Sequence, residues 1–528
     1  MTVLPTPGSR LPATRGGAAG ALLLTMLAGC ANYHGISSDK HLEPPAQFAS
    51  ELSVPAQGGR WPSVDWASAF GDPQLTSLIN EALANSPSIA EAQARVQQAS
   101  AFTENARSNL FPKLNASYSV NRELYSGNAL YPPPYGGSWY TENNVLARAS
   151  YELDLWGKNS SQLSQSISQR NAVQAQAQES RLMLASSVAH AYNELAREYA
   201  LRDVISREIA QRESVGSITA DRISAGLDTQ VEVQTSNANI ATNRSNIDMI
   251  DGRIQATRYQ LGALLGQGPD RGLSIAVPQL AGDYDVSLPD SLPANLVSRR
   301  PDIVAARWTV DATLAGVKVA KAEFYPDINL SAAFGFDAFG FGRFLQFTSR
   351  QVQAGPAINL PIFDAGALRA QLKGRYAEFD IAVAQYNNTL ASALGDVATQ
   401  VSAIRSTERQ LVNARAAYDA AQKAYELAVI RYRGGLTTQL QVLSADQIRL
   451  SQEQSVVQLG MDRRDQQISL IKALGGGFDA QAVGLTPSEK ADARAYGAVG
   501  TPAAGHAAAA AGPTEATAAA ASPTPTSN

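Results

Sequence analysis

Few groups in this chain have types and spacing that could do chemistry. Cys30 is its one thiol. Arg148, Glu152 and Asp154 fall at alternate positions of one segment, where they can pair across strands or line a polar surface. Asp228 follows the turn Ala225-Gly226-Leu227, while the matching turn Gly434-Gly435-Leu436 carries Thr437 and Thr438 instead. The first expected role of Asp228 is an N-cap that accepts free amides of the next helix. His34, His41, His190 and His506 are scattered, and none stands in a ligand pair. No glycine-rich phosphate loop, His-Glu-x-x-His pair or Gly-x-Ser-x-Gly elbow occurs. This pattern predicts no enzyme, no cofactor and no metal site.

The elements that must position these groups are long helices. From Gly157 to about Ala225 there is no proline, and no glycine between Gly157 and Gly216. Leu182, Ala185, Ala189, Tyr192, Ala196 and Tyr199 recur at alternating three- and four-residue spacing, the seam of a coiled coil. About 65 helical residues span roughly 100 Å, too long for a compact globule. Beyond the turn, Val233, Ile240, Ile247, Ile254 and Leu261 keep a strict seven-residue repeat.

Between the helices the period changes to two. Leu114, Ala116, Tyr118 and Val120 alternate with Asn115, Ser117, Ser119 and Asn121. A second run alternates Val145, Ala147, Ala149, Tyr151 and Leu153 with Leu146, Arg148, Ser150, Glu152 and Asp154. Both predict strands with one apolar and one polar face.

The second half repeats the first. Pro87 and Pro112 recur at Pro301 and Pro326, each displaced by 214 residues (301 − 87 = 326 − 112). Leu153-Asp154-Leu155-Trp156 returns as Leu360-Pro361-Ile362-Phe363, and the two glycine turns correspond. Each half therefore reads as helix, strand, strand, long helix, shorter helix. The two shorter helices sum to nearly the length of the long one and could stack end to end beside it. Four strands per chain cannot close a membrane barrel, which needs about eight; two chains would leave a filled interior, and three a lumen.

The termini differ from the body. Basic Arg10 and Arg15, an apolar run to Leu27 and the ending Leu27-Ala28-Gly29-Cys30 resemble a bacterial lipoprotein signal, cut before a cysteine that then carries lipid. The formal net charge of −4 argues against a nucleic-acid partner, and no apolar run is long enough for a transmembrane helix. The expected plan is a signal peptide over 1–29, a lipid-anchored linker over 30–72, repeats over 73–280 and 281–480, and a disordered Ala/Pro/Thr-rich tail over 481–528. Within the repeats the hairpins are expected at about 113–155 and 327–362, the long helices at about 157–224 and 364–432, and the return helices at about 228–266 and 438–475.

These residues resemble the outer-membrane efflux protein family, the TolC- and NodT-type outer-membrane factors. The resemblance rests on Cys30, the opening Trp61…Phe70-Gly71-Asp72-Pro73-Gln74-Leu75, Tyr151-Glu152-Leu153-Asp154-Leu155-Trp156-Gly157, Arg299-Arg300-Pro301-Asp302-Ile303, Phe324-Tyr325-Pro326 and Leu360-Pro361-Ile362-Phe363-Asp364-Ala365-Gly366. It implies an α+β membrane protein: a homotrimer whose twelve-stranded β-barrel, four strands per chain, crosses the outer membrane and continues into a periplasmic coiled-coil barrel. It implies sorting to the outer membrane and a lipid on Cys30. It implies an exit duct for drugs or aromatic compounds, working with a periplasmic adaptor and an inner-membrane pump of the resistance-nodulation-division type. The alternatives are the duct of a type I protein secretion system, or a structural lipoprotein coiled coil without a pore. By the same resemblance, Ala225, Gly226, Leu227, Asp228, Gly434, Gly435, Leu436, Thr437 and Thr438 form the periplasmic entrance and adaptor contact. Three copies of Asp228 would form an acidic ring there, and Arg148, Glu152 and Asp154 would line the barrel or its junction with the helices.

Overall fold

The computed structural model describes residues 33–48, 52–54, 59–128, 132–281 and 292–486. Cys30, the signal over 1–29 and residues 487–528 of the tail lie outside the described residues; the tail expected from 481 is not free at its start, where Leu485 is buried and its carbonyl accepts Trp308 Nε1 at 2.7 Å.

The duplicated sequence becomes duplicated structure. The first half runs α1 (Pro73–Asn85), α2 (Pro87–Ser108), β1 (Lys113–Leu124), β2 (Trp139–Glu152), α3 (Lys158–Ser224), α4 (Gln230–Leu264) and the short α5 (Pro269–Leu273). The second runs α6 (Leu292–Arg299), α7 (Pro301–Ala322), β3 (Asp327–Phe339), β4 (Arg350–Asn359), α8 (Ala367–Arg433) and α9 (Gln439–Ala473). Corresponding helices match residue for residue in length: 22 for α2 and α7, 67 for α3 and α8, 35 for α4 and α9. A 67-residue helix is about 100 Å long.

Pro87 and Pro301 each open a helix at its first turn, where a missing N–H costs nothing. The return helices meet those openings end to end. Gly266, which follows α4, has φ +72°, and a Cβ there would lie 2.5 Å from the Asn85 carbonyl oxygen. Gly475, after α9, has φ +89°, and its Cβ would fall 1.8 Å from the Arg299 carbonyl. Only glycine permits both the conformation and the approach. Arg300 then bridges the join, with its guanidinium on Asp302 at 2.7 Å and on the Ala473 carbonyl at 3.1 Å.

The core is drawn out along these rods. Tyr192, Leu195 and Leu261 are fully buried with Phe70, Leu75 and Leu78 in one cluster, and Leu372, Tyr386 and Leu390 with Ile303 and Val310 in another. The Phe70-to-Leu75 opening belongs to the first. Asp72 caps α1 through the Gln74 amide at 2.9 Å and accepts the Tyr192 hydroxyl at 2.7 Å. The linker expected at 30–72 is no free tether over its described part. Leu42 is fully buried in the second cluster, and Glu43 N donates to Asn387 Oδ1 at 3.0 Å.

The four strands make one antiparallel sheet in the order β1-β2-β3-β4, so the hairpins of the two halves meet at β2 and β3. Among the described residues, β1 and β4 each have an unpaired edge.

Candidate functional site

Cross-strand register decides what each face of the sheet can do. Tyr118 lies opposite Val145, Val145 opposite Phe336, Ala147 opposite Phe334, and Phe334 opposite Val352. Leu114, Ala149, Ala332 and Ile358 continue that face by the two-residue period. Phe334, Val352, Ile358 and Leu114 are 53–75% exposed, an apolar surface that water would not favour. The other face carries Asn115, Ser117, Asn144, Arg148, Asn329, Ser331, Gln351 and Gln353. Apolar outside and polar inside is the pattern of a membrane barrel wall.

Arg148 stands on the polar face, opposite Asn115 and Ala333. Glu152 ends β2 and pairs with Lys158 at 2.7 Å, while Lys158 also reaches Asp327 at 3.1 Å. Asp154, expected on the strand face, lies beyond its end. It accepts the amides of Asn159 at 2.9 Å and Ser160 at 2.8 Å and so caps α3. The free amides of a helix start recruit a carboxylate where a strand turns into a helix. Burial opposes ionisation of Asp154, but these amide bonds prevail and hold its carboxyl below the usual value. Trp156 completes the junction, its Nε1 donating to the Pro326 carbonyl at 2.8 Å and its ring stacked on Tyr325 at 4.8 Å.

At the far end, Gly226 and Gly435 turn the chain with φ of +72° and +73°, whereas Gly434 has φ −77° and needs no glycine. The cap of α4 is Thr229, not Asp228: Thr229 Oγ1 accepts the Val231 amide at 3.2 Å, and Glu232 accepts the Thr229 amide at 2.9 Å. Asp228 is drawn away by stronger, charged donors. Arg222 holds it through Nε at 2.7 Å and Nη2 at 3.2 Å, and the buried Tyr432 hydroxyl donates to it at 2.5 Å. Arg222 also lies 4.5 Å over the Tyr432 ring and bonds its carbonyl at 2.9 Å. Thr219 contacts the Tyr432 hydroxyl at 3.0 Å and accepts Gln439 Nε2 at 3.1 Å. This clasp joins α3 and its turn to α8 and α9. Nothing in the repeat foretold it, because position 437, the counterpart of 228, is threonine (228 + 209 = 437). Leu227, Val231, Leu436 and Leu440 are exposed around it, each by more than 60%.

About 24 Å back from the turn, by helix rise from Glu208 to Ser224, a buried charge ladder ties α3 to α9. Glu208 bonds both Arg212 and Arg449. Arg449 also holds Asp446 at 3.0 Å and Glu453 at 2.9 Å, and Arg212 reaches Asp446 at 3.2 Å. The one available signal was a pair of charges four apart, Glu208 with Arg212 and Arg449 with Glu453, set in otherwise small-residue helices.

Comparison with known proteins agrees with this geometry. The sequence profile of the outer membrane efflux protein family matches residues 78–267 and 292–476. The fusaric acid resistance protein FusA of Burkholderia cepacia is 38% identical over 370 residues, 68% of this chain and 69% of its own. The multidrug resistance outer membrane protein MdtP of Escherichia coli K12 is 30% identical over 472 residues, covering 87% of this chain and 96% of its own. The outer membrane protein VceC of Vibrio cholerae superposes with a TM-score of 0.74 at 34% identity, over 79% of this chain and all of VceC. The chain therefore belongs to the outer membrane efflux protein family and is an outer-membrane channel of efflux.

Proposed function

We propose that three copies of this chain close a twelve-stranded barrel across the outer membrane and a helical duct beneath it. Through this duct, drugs or small aromatic compounds leave the cell. The carrying observation is the four-stranded sheet with one apolar face, one polar face and two unpaired edges. Unpaired edges in a bilayer cost several kcal/mol per lost hydrogen bond, so the sheet must close with its copies. Arg148 then faces the lumen, and Glu152 and Asp154 fix the barrel to the helices. The FusA and MdtP names support toxic small molecules as cargo.

The helix tips are the periplasmic entrance. Exposed Leu227 and Leu436 offer apolar contacts to an adaptor, with Ala225, Gly226, Gly434, Gly435, Thr437 and Thr438 shaping the reversals. The adaptor connects to an inner-membrane pump, of the resistance-nodulation-division type. Asp228 acts as a latch rather than a free acidic ring, since its oxygens are taken by Arg222 and Tyr432.

Cys30 carries the lipid. Tyr33, three residues on, touches Tyr325 through their hydroxyls at 3.3 Å and packs edge-on against Phe324 at 5.5 Å. That contact sits just before β3, at the base of the sheet, within about 10 Å of chain reach from residue 30. One experiment covers cargo and anchor. Cells lacking the chain should gain sensitivity to amphiphilic drugs, and both wild type and Cys30→Ser should restore resistance. Labelled fatty acid (palmitate) should mark wild type alone. Unchanged sensitivity on deletion would count against efflux, and equal labelling of both proteins against the anchor.

A further inference from the structure

At the end of the sheet far from the helices, the register gathers carboxylates and aromatic rings on the polar face. Glu123 lies opposite Tyr140, Glu142 opposite Phe339, and Asp337 opposite Asn144. The Tyr125 hydroxyl donates to Glu142 at 3.3 Å, so this ring stands over the same face. Tyr125, Tyr135, Tyr140 and Phe339 pack as one cluster, with ring centroids 5.1–6.3 Å apart. Tyr135 is 41% and Phe339 36% exposed, while Tyr125 and Tyr140 are half-buried. Glu123, Tyr125, Glu142, Asp337 and Phe339 line one open cavity of about 810 Å³.

Arg350 borders the cavity but belongs to the other face, opposite Phe336. Its guanidinium lies 3.8 Å over the Phe347 ring, and its Nη1 donates to the Phe347 carbonyl at 2.9 Å. Among the described residues it makes no ion pair with the three carboxylates.

Ring faces are electron-rich and attract a weakly hydrated cation. Carboxylates at the same place add Coulomb attraction for positive charge. A hydrated metal ion would use the carboxylates and leave the rings idle. A neutral aromatic would use the rings and bring no charge to the carboxylates. A flat organic cation uses both.

We infer that this mouth is a binding site for aromatic organic cations, formed by Tyr125, Phe339, Glu123, Glu142 and Asp337, with Tyr140 packed beside the two rings. The inference rests on the duct reading, which makes the polar face the lumen and this end the exit. The site would hold departing cations briefly at the outer opening and disfavour anions there.

Ethidium is the probe, titrated by fluorescence anisotropy against the full-length protein in a non-ionic detergent. Wild type should bind it saturably. Glu142→Gln with Asp337→Asn, a near-isosteric pair, should weaken binding about tenfold, and Phe339→Ala about fivefold. Tetraphenylphosphonium should compete, whereas neutral phenanthridine and magnesium ions should not. Equal affinity in the double variant, or displacement by magnesium or phenanthridine as effective as by tetraphenylphosphonium, would overturn the inference. Wild-type trimers that bind no ethidium would overturn it and leave the duct standing. Wild-type protein that is not trimeric would overturn both.

Discussion

Asp228→Ala and Tyr432→Phe should each raise single-channel conductance severalfold in planar bilayers. In the wild type a charged clasp holds the helix turns proposed as the entrance. Asp228 accepts two bonds from Arg222 and one from Tyr432, and these couple the α3–α4 turn to α8. A hydrogen bond to a charged group contributes about 1.5–3 kcal/mol. Losing roughly 3 kcal/mol shifts a closed-to-open ratio by on the order of 100-fold. Tyr432→Phe removes the hydroxyl bonds and keeps the ring under Arg222, so it isolates the latch from packing. The pH dependence follows. Arg222 first, with Tyr432 assisting against burial, holds the Asp228 carboxyl below its ordinary value of 3.8. Its stabilisation is therefore complete above about pH 3.8 and is lost as pH falls through the lower folded value. Conductance of the wild type should rise only in that acid range. Variants that conduct like the wild type at neutral pH would remove the latch from the account.

The second large effect should come from the buried ladder. Arg449→Ala leaves Glu208, Asp446 and Glu453 without their shared partner, at side-chain exposures of 0–9%. Truncating one member of a buried ion cluster costs about 3–5 kcal/mol, because the remaining charges stay desolvated. Replacing Glu208, Arg212, Asp446, Arg449 and Glu453 together by leucine or methionine should recover most of that loss. Burial first, then Asp446, pushes the Glu208 carboxyl up to about 8. A raised carboxyl favours the protonated folded state, so its contribution grows as pH falls from about 8 towards 4.5, opposite in sign to Asp228. Thermal unfolding in detergent checks both variants; a single variant as stable as wild type would show the ladder to be solvated and dispensable.

The architecture was legible because two periods carry it. A helical run without proline, such as Lys158–Ser224, has no place to break, and strict alternation such as Leu114 to Asn121 leaves a strand no other face to bury. The clasp was illegible for a different reason. Asp228 sits where an N-cap belongs, and Arg222, six residues back, draws it off together with Tyr432 from 204 residues away. Thr229, one position on, has the capping-box glutamate three residues later and was the better candidate on spacing alone. The ladder pairs residues 241 apart, Glu208 with Arg449, which no local period can reveal. Asp154 continues the strand's alternation by parity, yet the strand stops at Glu152 because the free amides of α3 compete for that carboxylate.

The most direct measurement is the mass of the detergent-purified particle by native mass spectrometry. Three copies of the chain are expected, twelve strands at four per chain, since that number closes a barrel wide enough to leave a lumen. A particle of one or two copies would contradict that expectation, because four strands cannot close and eight enclose only side chains.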